Sequence, residues 1–272
     1  MGTVLAGAGF EAREARRLLA HLSGTSEAIL AAFPERLVDA AQAARFRELA
    51  GQRRDGVPLA YMLGIREFYG REFRVSPAVL IPRPETELLV DCALRHMRAD
   101  ESILDLGTGS GAVAITLACE RSGARITAVD RSAAALVIAR DNAATLAPGR
   151  IAFIESDWYT GVGERSFNLI VSNPPYIAAG DPHLGRGDLR FEPPAALVAG
   201  TSGTECLESI ATGAKSHLRD GGRLLLEHGF DQGAAARRIL ERAGFAELRT
   251  WRDLAGHERV TGGALNGLLA GP

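Results

Sequence analysis

Asp105-Leu106-Gly107-Thr108-Gly109-Ser110-Gly111 joins a short apolar run, Ile103–Leu106, directly to a helical segment, Ala112–Glu120. Glycines at a strand-to-helix turn let the backbone come close to a ligand, and the helix start presents free N–H groups. The dinucleotide fingerprint is G-x-G-x-x-G, whereas this loop reads G-x-G-x-G, so its spacing leans away from a nicotinamide site. Outward from the loop the alternation continues: Ile126–Val129 then Ser132–Leu146, Ile151–Ile154, Phe167–Ser172, Cys206–Leu218 then Arg223–Leu226, and Gly233–Ala243 then Ala246–Trp251. β-rich runs separated by helical segments of this length predict right-handed crossovers and a mostly parallel, doubly wound α/β sheet. Ligands of such sheets bind at the carboxyl ends of the strands.

Asp130 ends the second run, 19 residues after Gly111. An acid in that register can accept hydrogen bonds from both hydroxyls of a ribose, which implies an adenosine ligand. Asp157 and Trp158 follow the third run and fall on the same rim, where a carboxylate can accept from an adenine amino group and an indole can stack on the ring. The fourth run ends in Asn173-Pro174-Pro175-Tyr176. Two prolines fix φ and donate no N–H, so the turn is stiff and its carbonyls stay free as acceptors. Asn173 adds a side-chain carbonyl and Tyr176 an aromatic face, which together suit a planar group bearing an NH₂.

Asp105–Gly111 with Asp130 and Asn173–Tyr176 resembles the S-adenosylmethionine-dependent methyltransferases that act on planar amino or amide nitrogens of adenine, guanine or protein glutamine. The tetrapeptide does not separate these substrates. An amide nitrogen is a poor nucleophile, because its lone pair is delocalised into the carbonyl. A site for it must hold both N–H bonds, with the Asn173 side-chain oxygen and the Pro174 carbonyl as acceptors, and stabilise the charge that develops on nitrogen. Such transfer calls for no metal and no covalent nucleophile.

The first sixty residues read as helices. Phe10, Ala15, Leu18, Leu19 and Leu22 recur at helical spacing up to Ser23-Gly24; a second segment starts near Ser26, and a third runs from Glu35 to Arg54. Phe68, Tyr69 and Phe73 around Gly70 predict a short β-hairpin between the two parts. Across 272 residues, 46% apolar and 24% charged, the composition is that of a folded protein with a sizeable core. A net charge of −2 lacks the basic excess of a nucleic-acid binder, although Arg13, Arg16 and Arg17, or Arg53 and Arg54, could form a local patch. Three cysteines, Cys92, Cys119 and Cys206, fit neither a zinc site nor a disulfide scaffold. No apolar stretch reaches the ~18 to 20 residues that span a bilayer, and no secretion pattern opens the chain. The expectation is a cytoplasmic monomer with no membrane association.

Segments outside this shared core narrow the family. Pro58–Gly64, Glu67–Gly70, Ile81-Pro82-Arg83-Pro84-Glu85-Thr86-Glu87, Ser156–Trp158, Phe191-Glu192-Pro193, Leu226-Glu227-His228-Gly229 and Glu258–Thr261 closely resemble the HemK/PrmC-type release factor glutamine methyltransferases. That resemblance implies a Rossmann-like seven-stranded methyltransferase domain over 89–272, a smaller all-α domain over 1–64 that binds the release factor, and a β-hairpin linker over 65–88. It implies transfer of a methyl from S-adenosylmethionine, with S-adenosylhomocysteine as product, to N5 of the Gly-Gly-Gln glutamine of class-I peptide chain release factors. Cofactor contacts would come from Gly107, Thr108, Gly109, Ser110, Gly111, Asp130, Asp157, Trp158 and Asn173. Glutamine contacts would come from Asn173, Pro174, Pro175 and Tyr176, with Asn173, Pro174 and Tyr176 catalytic. The Ile81–Glu87 segment would border the site, with Glu85 and Thr86 near the cofactor's methionine. The chain departs from the family pattern at Thr261-Gly262-Gly263-Ala264, where a basic residue is lacking, and in the tail 265–272; both concern the final strand and its edge. Arg83 reads equally well as a solvated linker charge, and His228 as a structural strand-end residue. A nucleic-acid methyltransferase acting on adenine N6 or guanine N2, through a base stacked on Tyr176, is the alternative; a non-catalytic partner-binding protein would need a damaged loop or tetrapeptide, and both are intact.

Overall fold

A computed structural model describes residues 2–98 and 100–265. Five helices open the chain: α1 (Gly2–Ala6), α2 (Ala12–Ser23), α3 (Glu27–Ala32), α4 (Ala40–Arg54) and α5 (Leu59–Leu63). Ala15, Leu18 and Leu19 of α2 are fully buried against Leu30, Phe46, Leu49 and Leu63, so these helices close a small core of their own. Gly24 adopts the left-handed conformation that ends α2, and the Ser26 hydroxyl caps α3. The third segment starts at Ala40 rather than Glu35, because the Asp39 carboxylate accepts from the Ala41 and Gln42 amides and fixes the helix start there.

The hairpin forms as expected, from β1 (Ile65–Phe68) and β2 (Arg71–Arg74). Its two-residue loop has φ +51° at Tyr69 and +72° at Gly70, the sign a tight hairpin turn requires at both positions. Tyr69 is held in this costly conformation by its amide, which donates to Glu87 at 2.8 Å, and by its hydroxyl, which donates to Asp91 at 2.8 Å. Phe68 and Phe73 meet edge-on at 6.0 Å and are buried in the core of the following α/β region, each contributing about 1.5 to 3 kcal/mol.

That region continues as α6 (Glu87–His96), β3 (Ser102–Leu106), α7 (Ala112–Glu120), β4 (Arg125–Asp130), α8 (Ala133–Leu146), β5 (Ile151–Glu155), β6 (Phe167–Ser172), β7 (Ile177–Ala178), β8 (Val198–Gly200), α9 (Glu205–Ala214), β9 (Leu218–Glu227), α10 (Gly233–Arg242), β10 (Phe245–Arg252) and β11 (Glu258–Leu265). Seven strands form one sheet in the order β10-β11-β9-β6-β3-β4-β5. From β5 to β9 all neighbours are parallel, while β11 runs antiparallel to β9 and to β10. Chain order reverses beside β3, which leaves a crevice outside the carboxyl ends of β3 and β6. The helix expected over Cys206–Leu218 ends at Ala214: the His217 amide already bonds back to Ala214, and Leu218 opens β9 beside Phe167. The last strand is no edge, since β11 lies between β9 and β10; of the divergent tail, residues 266–272 lie outside the described residues. The departure at Gly262-Gly263 has a packing cause. A Cβ on Gly262 would sit 2.3 Å from Leu225 Cδ2, and one on Gly263 2.6 Å from Leu248 Cδ2, so the core of this strand has no room for side chains there.

Candidate active site

The glycine loop leaves β3 through three left-handed glycines, with φ +72° at Gly107, +56° at Gly109 and +83° at Gly111. Gly107 and Thr108 both donate to the Val129 carbonyl at 2.9 Å, and Gly111 donates to Thr108 at 2.8 Å, so the turn folds onto the end of β4. Asp130 completes the attachment: Oδ2 accepts from the Gly109 amide and Oδ1 from the Ser132 amide, each at 2.9 Å. A carboxylate offers about four lone-pair sites, so two remain for a ligand's hydroxyls. Beneath the loop Asp105 is fully buried and accepts from the Thr108 hydroxyl at 2.7 Å. Burial pushes its carboxyl up to about 7, with the Asp130 charge adding to the rise and Thr108 opposing it.

A cavity of 210 Å³ opens over this loop. Gly107, Thr108, Gly109, Ser110, Asp130, Asp157, Trp158 and Asn173 all line it. Gly111 does not: it starts α7, and a Cβ there would approach Ile115 Cδ1 to 2.7 Å. Trp158 takes a left-handed φ of +48°, held by the Ser156 hydroxyl, which donates to the Trp158 carbonyl at 2.8 Å. The facing wall is apolar, from Val79, Leu80, Pro82 and Val198. A flat ring, a ribose and a cationic tail fit this arrangement: apolar walls with an indole and Asp157, a carboxylate with spare acceptors at Asp130, and a further acid at Asp105.

A second, wider cavity of 580 Å³ lies on the other side of the Asn173 turn and is lined by Arg83, Glu85, Tyr176, Arg186, Asp188, Glu227 and Arg259, among others. Arg83 borders both cavities. Asn173 and Pro175 face the first and Tyr176 the second, while Pro174 is buried between them. The Asn173 Nδ2 donates to Thr86 Oγ1 at 3.0 Å, and among the described residues nothing bonds to its Oδ1. The Tyr176 carbonyl accepts from Gln232 Nε2 at 3.0 Å, and the same amide group donates to Gly203 while its oxygen accepts from Gly229. Glu85 and Thr86, expected together, are divided: Thr86 lines the first cavity and Glu85 the second.

Two residues with open readings are resolved by their partners. Arg83 is not a solvated charge; its Nη2 donates to Glu192 at 2.6 Å, and that carboxylate is wholly buried. Burial raises the Glu192 carboxyl to about 7 against the pull of Arg83. His228 is structural. Its Nδ1 faces the Gly229 carbonyl at 2.8 Å and so donates, its Nε2 accepts from Thr261, and burial lowers its pKa, which keeps it neutral. Arg53 and Arg54 form no free basic patch, since Arg53 pairs with Glu14 at 2.7 Å and with Asp188 at 3.4 Å and Arg54 donates to the Ala8 carbonyl. Sequence reasoning gave no role to Glu192, Glu227 or Gln232. The available signal was a carboxylate closing an otherwise apolar strand, Leu224-Leu225-Leu226-Glu227, as Asp130 closes its own.

Residues 3–64 match the PrmC N-terminal domain family and residues 84–185 the methyltransferase small domain family. A release factor glutamine methyltransferase of Burkholderia pseudomallei is 49% identical over 94% of this chain and 93% of its own. Namesakes from Bordetella pertussis and Salmonella typhimurium are 48% and 45% identical, over 96% and 92% of this chain and 98% and 91% of theirs. The chain belongs to the release factor glutamine methyltransferases. Solved structures share its fold at lower identity. A Pyrococcus furiosus methyltransferase has a TM-score of 0.56 at 18% identity, covering 81% of this chain and 99% of its own. A T. thermophilus 16S rRNA methyltransferase in complex with AdoMet and guanosine has a TM-score of 0.53 at 21%, covering 74% and 49%. Among the described residues no helix is long and apolar enough to cross a membrane.

Proposed function

We propose that this chain transfers the methyl group of S-adenosylmethionine to N5 of the glutamine in the Gly-Gly-Gln loop of class-I peptide chain release factors. The observation that carries this reading is the Asn173 turn standing between two cavities, with its amide oxygen unbonded among the described residues. Membership of the release factor glutamine methyltransferases supports the substrate. In this reading the cofactor fills the cavity over Gly107–Gly111, with Asp130 accepting from the ribose, Asp157 and Trp158 at the adenine, and Asn173 bordering its reactive end. The glutamine side chain enters from the wider cavity past Tyr176 and Pro175. S-adenosylmethionine supplies, when bound, a methyl group on a sulfonium sulfur.

Asn173 Oδ1 and the Pro174 carbonyl accept the two N–H bonds of the glutamine amide, which turns its nitrogen toward the methyl. As the nitrogen takes on positive charge, the same two oxygens stabilise it and face the proton it must lose. Tyr176, whose hydroxyl burial keeps protonated, supplies a flat wall to the amide and no charge. Residues 1–64 act as the release-factor-binding domain, 65–88 as the hairpin linker and 89–272 as the methyltransferase domain. The protein works as a cytoplasmic monomer, where release factors act.

The test is incubation with methyl-labelled S-adenosylmethionine and two acceptors in parallel, a purified class-I release factor and total RNA with DNA, followed by peptide mapping. Label on the Gly-Gly-Gln glutamine is expected. Label confined to nucleic acid keeps the fold and the cofactor and overturns the substrate.

A further inference from the structure

Glu227 closes β9 next to the start of the Asn173 turn, because Leu226 pairs with Ser172 across the parallel ladder. It is buried to 1% exposure, and among the described residues its Oε2 has no hydrogen-bond partner. An orphaned buried carboxylate oxygen is destabilising, so packing alone is a poor reason for its presence. Thr86 is near enough to this carboxylate for its hydroxyl to pull the Glu227 pKa down, and Thr86 Oγ1 is the atom that receives Asn173 Nδ2 at 3.0 Å. Thr86 therefore stands between an acid and the amide that the methyl-transfer reading depends on.

We propose that Glu227 is a positioning residue that, through Thr86, fixes which end of the Asn173 amide faces the substrate. A hydroxyl has one proton. An ionised carboxylate only accepts, so it takes that proton, and the Thr86 oxygen is left as an acceptor toward Asn173. Asn173 can satisfy it only with its NH₂, which turns Oδ1 toward the incoming glutamine. If Glu227 is protonated or absent, the Thr86 proton is free to point at Asn173. The amide then rotates, presenting N–H to the N–H of the substrate, and the acceptor is lost. The charged and titratable groups facing Glu227 are Arg259 from β11 and Glu85 and Arg83 from the segment before α6, with Tyr176 across the same cavity. Burial pushes the Glu227 carboxyl up to about 7, with Thr86, Arg259 and Arg83 opposing and Glu85 adding to the rise. The orientation of Asn173 is thus set by a group that titrates near neutrality.

This inference rests on the proposed methyl transfer to glutamine, and its test separates the two. The parent, Thr86→Val, Thr86→Ser and Glu227→Gln are assayed on a purified class-I release factor across pH, with S-adenosylmethionine affinity measured by calorimetry. Thr86→Val is expected to lower kcat on the order of 100-fold, the scale of a misaligned reactant, with cofactor affinity retained. Thr86→Ser, which keeps the hydroxyl, recovers most of that loss. The parent's kcat rises with pH through about 7, and Glu227→Gln, which cannot titrate, removes that rise. If the parent methylates the factor but Thr86→Val turns over as fast, or Glu227→Gln keeps the same acidic limb, the relay is wrong. A parent that labels no release factor overturns the substrate reading instead.

Discussion

The two cavities that share Arg83, on either side of the Asn173 turn, are built by opposite means. The narrower one is a backbone structure: three left-handed glycines and the amides of Gly107, Thr108 and Gly109 wrap onto the end of β4, and one carboxylate, Asp130, pins them. The loop and the acid that pins it, residues 105–132, are contiguous in sequence, while the apolar walls around them come from as far apart as Ala78 and Cys206. The wider one is a side-chain structure, walled by Arg83, Glu85, Tyr176, Arg186, Asp188, Glu227 and Arg259. Its key link, Arg83 to Glu192, spans 109 positions. A cofactor common to many enzymes can be met by a local device, whereas one particular protein substrate needs residues gathered from across the fold.

The sharpest division between the halves is expected at Asn173. Asn173→Ala removes one of the two proposed acceptors for the substrate amide, and methyl transfer should fall on the order of 100-fold or more, about 2.7 kcal/mol in the barrier. S-adenosylmethionine affinity by calorimetry should change little, because Asp130 and the loop are untouched. Equal turnover by mutant and parent would end the assignment. Asp130→Ala acts on the other half and should weaken cofactor binding by about 1.5 to 3 kcal/mol, the scale of hydrogen bonds to a charged group. Because Asp130 also anchors Gly109 and Ser132, Asp130→Asn, which keeps one accepting oxygen, should lose less. Calorimetry that finds unchanged affinity in both variants removes Asp130 from the cofactor site.

The same contrast explains what the sequence made readable. G-x-G-x-G after an apolar run, and an acid nineteen residues on, are local signals, and the strands, the loop and the cavity lining of Asp130, Asp157, Trp158 and Asn173 follow them. The hairpin was legible for the same reason, since Phe68, Phe73 and a tight turn lie within a few residues. Where a long-range partner decides, reading along the chain fails. Arg83 read as well for a solvated charge as for a site residue, because Glu192, its buried partner, is invisible from Pro82-Arg83-Pro84 alone. Glu85 and Thr86 are adjacent in sequence and yet face different cavities, a consequence of the turn before α6. The position of β11 inside the sheet, and so the reason for Gly262 and Gly263, depends on two neighbours that only the folded sheet supplies.

A smaller effect should confirm that the loop is a backbone device. Gly111→Ala places a Cβ at φ +83° and 2.7 Å from Ile115 Cδ1. The left-handed conformation costs roughly 1 to 2 kcal/mol for a residue with a side chain, so the melting temperature should drop by several degrees. Gly109→Ala, with φ +56° but open space around it, should carry the conformational cost without the clash and fall between mutant and parent. If the two substitutions are equally harmless, the left-handed turn is not what shapes the loop.

The smallest predicted effect is a pH dependence of stability that apportions buried charge between the two halves. Asp105, Glu192 and Glu227 are each pushed up to about 7, first of all by burial. Their ordinary values lie near 4. A carboxyl whose folded pKa is raised binds its proton more tightly in the folded state. The stability it contributes is present below the unfolded value and is lost as the pH rises through about 7. Acidification from about pH 7 to pH 5 should therefore raise the melting temperature, with little change above the folded values. His228, its pKa lowered by burial, is protonated in the unfolded chain before the folded one and opposes this trend, but it is one group against three. Glu192→Gln and Glu227→Gln remove the share of the substrate side and should flatten the slope, leaving the part that belongs to Asp105 beneath the glycine loop. A melting temperature that is level between pH 5 and 7 would mean that all three carboxyls ionise as they do in water. A slope that survives both substitutions in full would place the whole effect on the cofactor side.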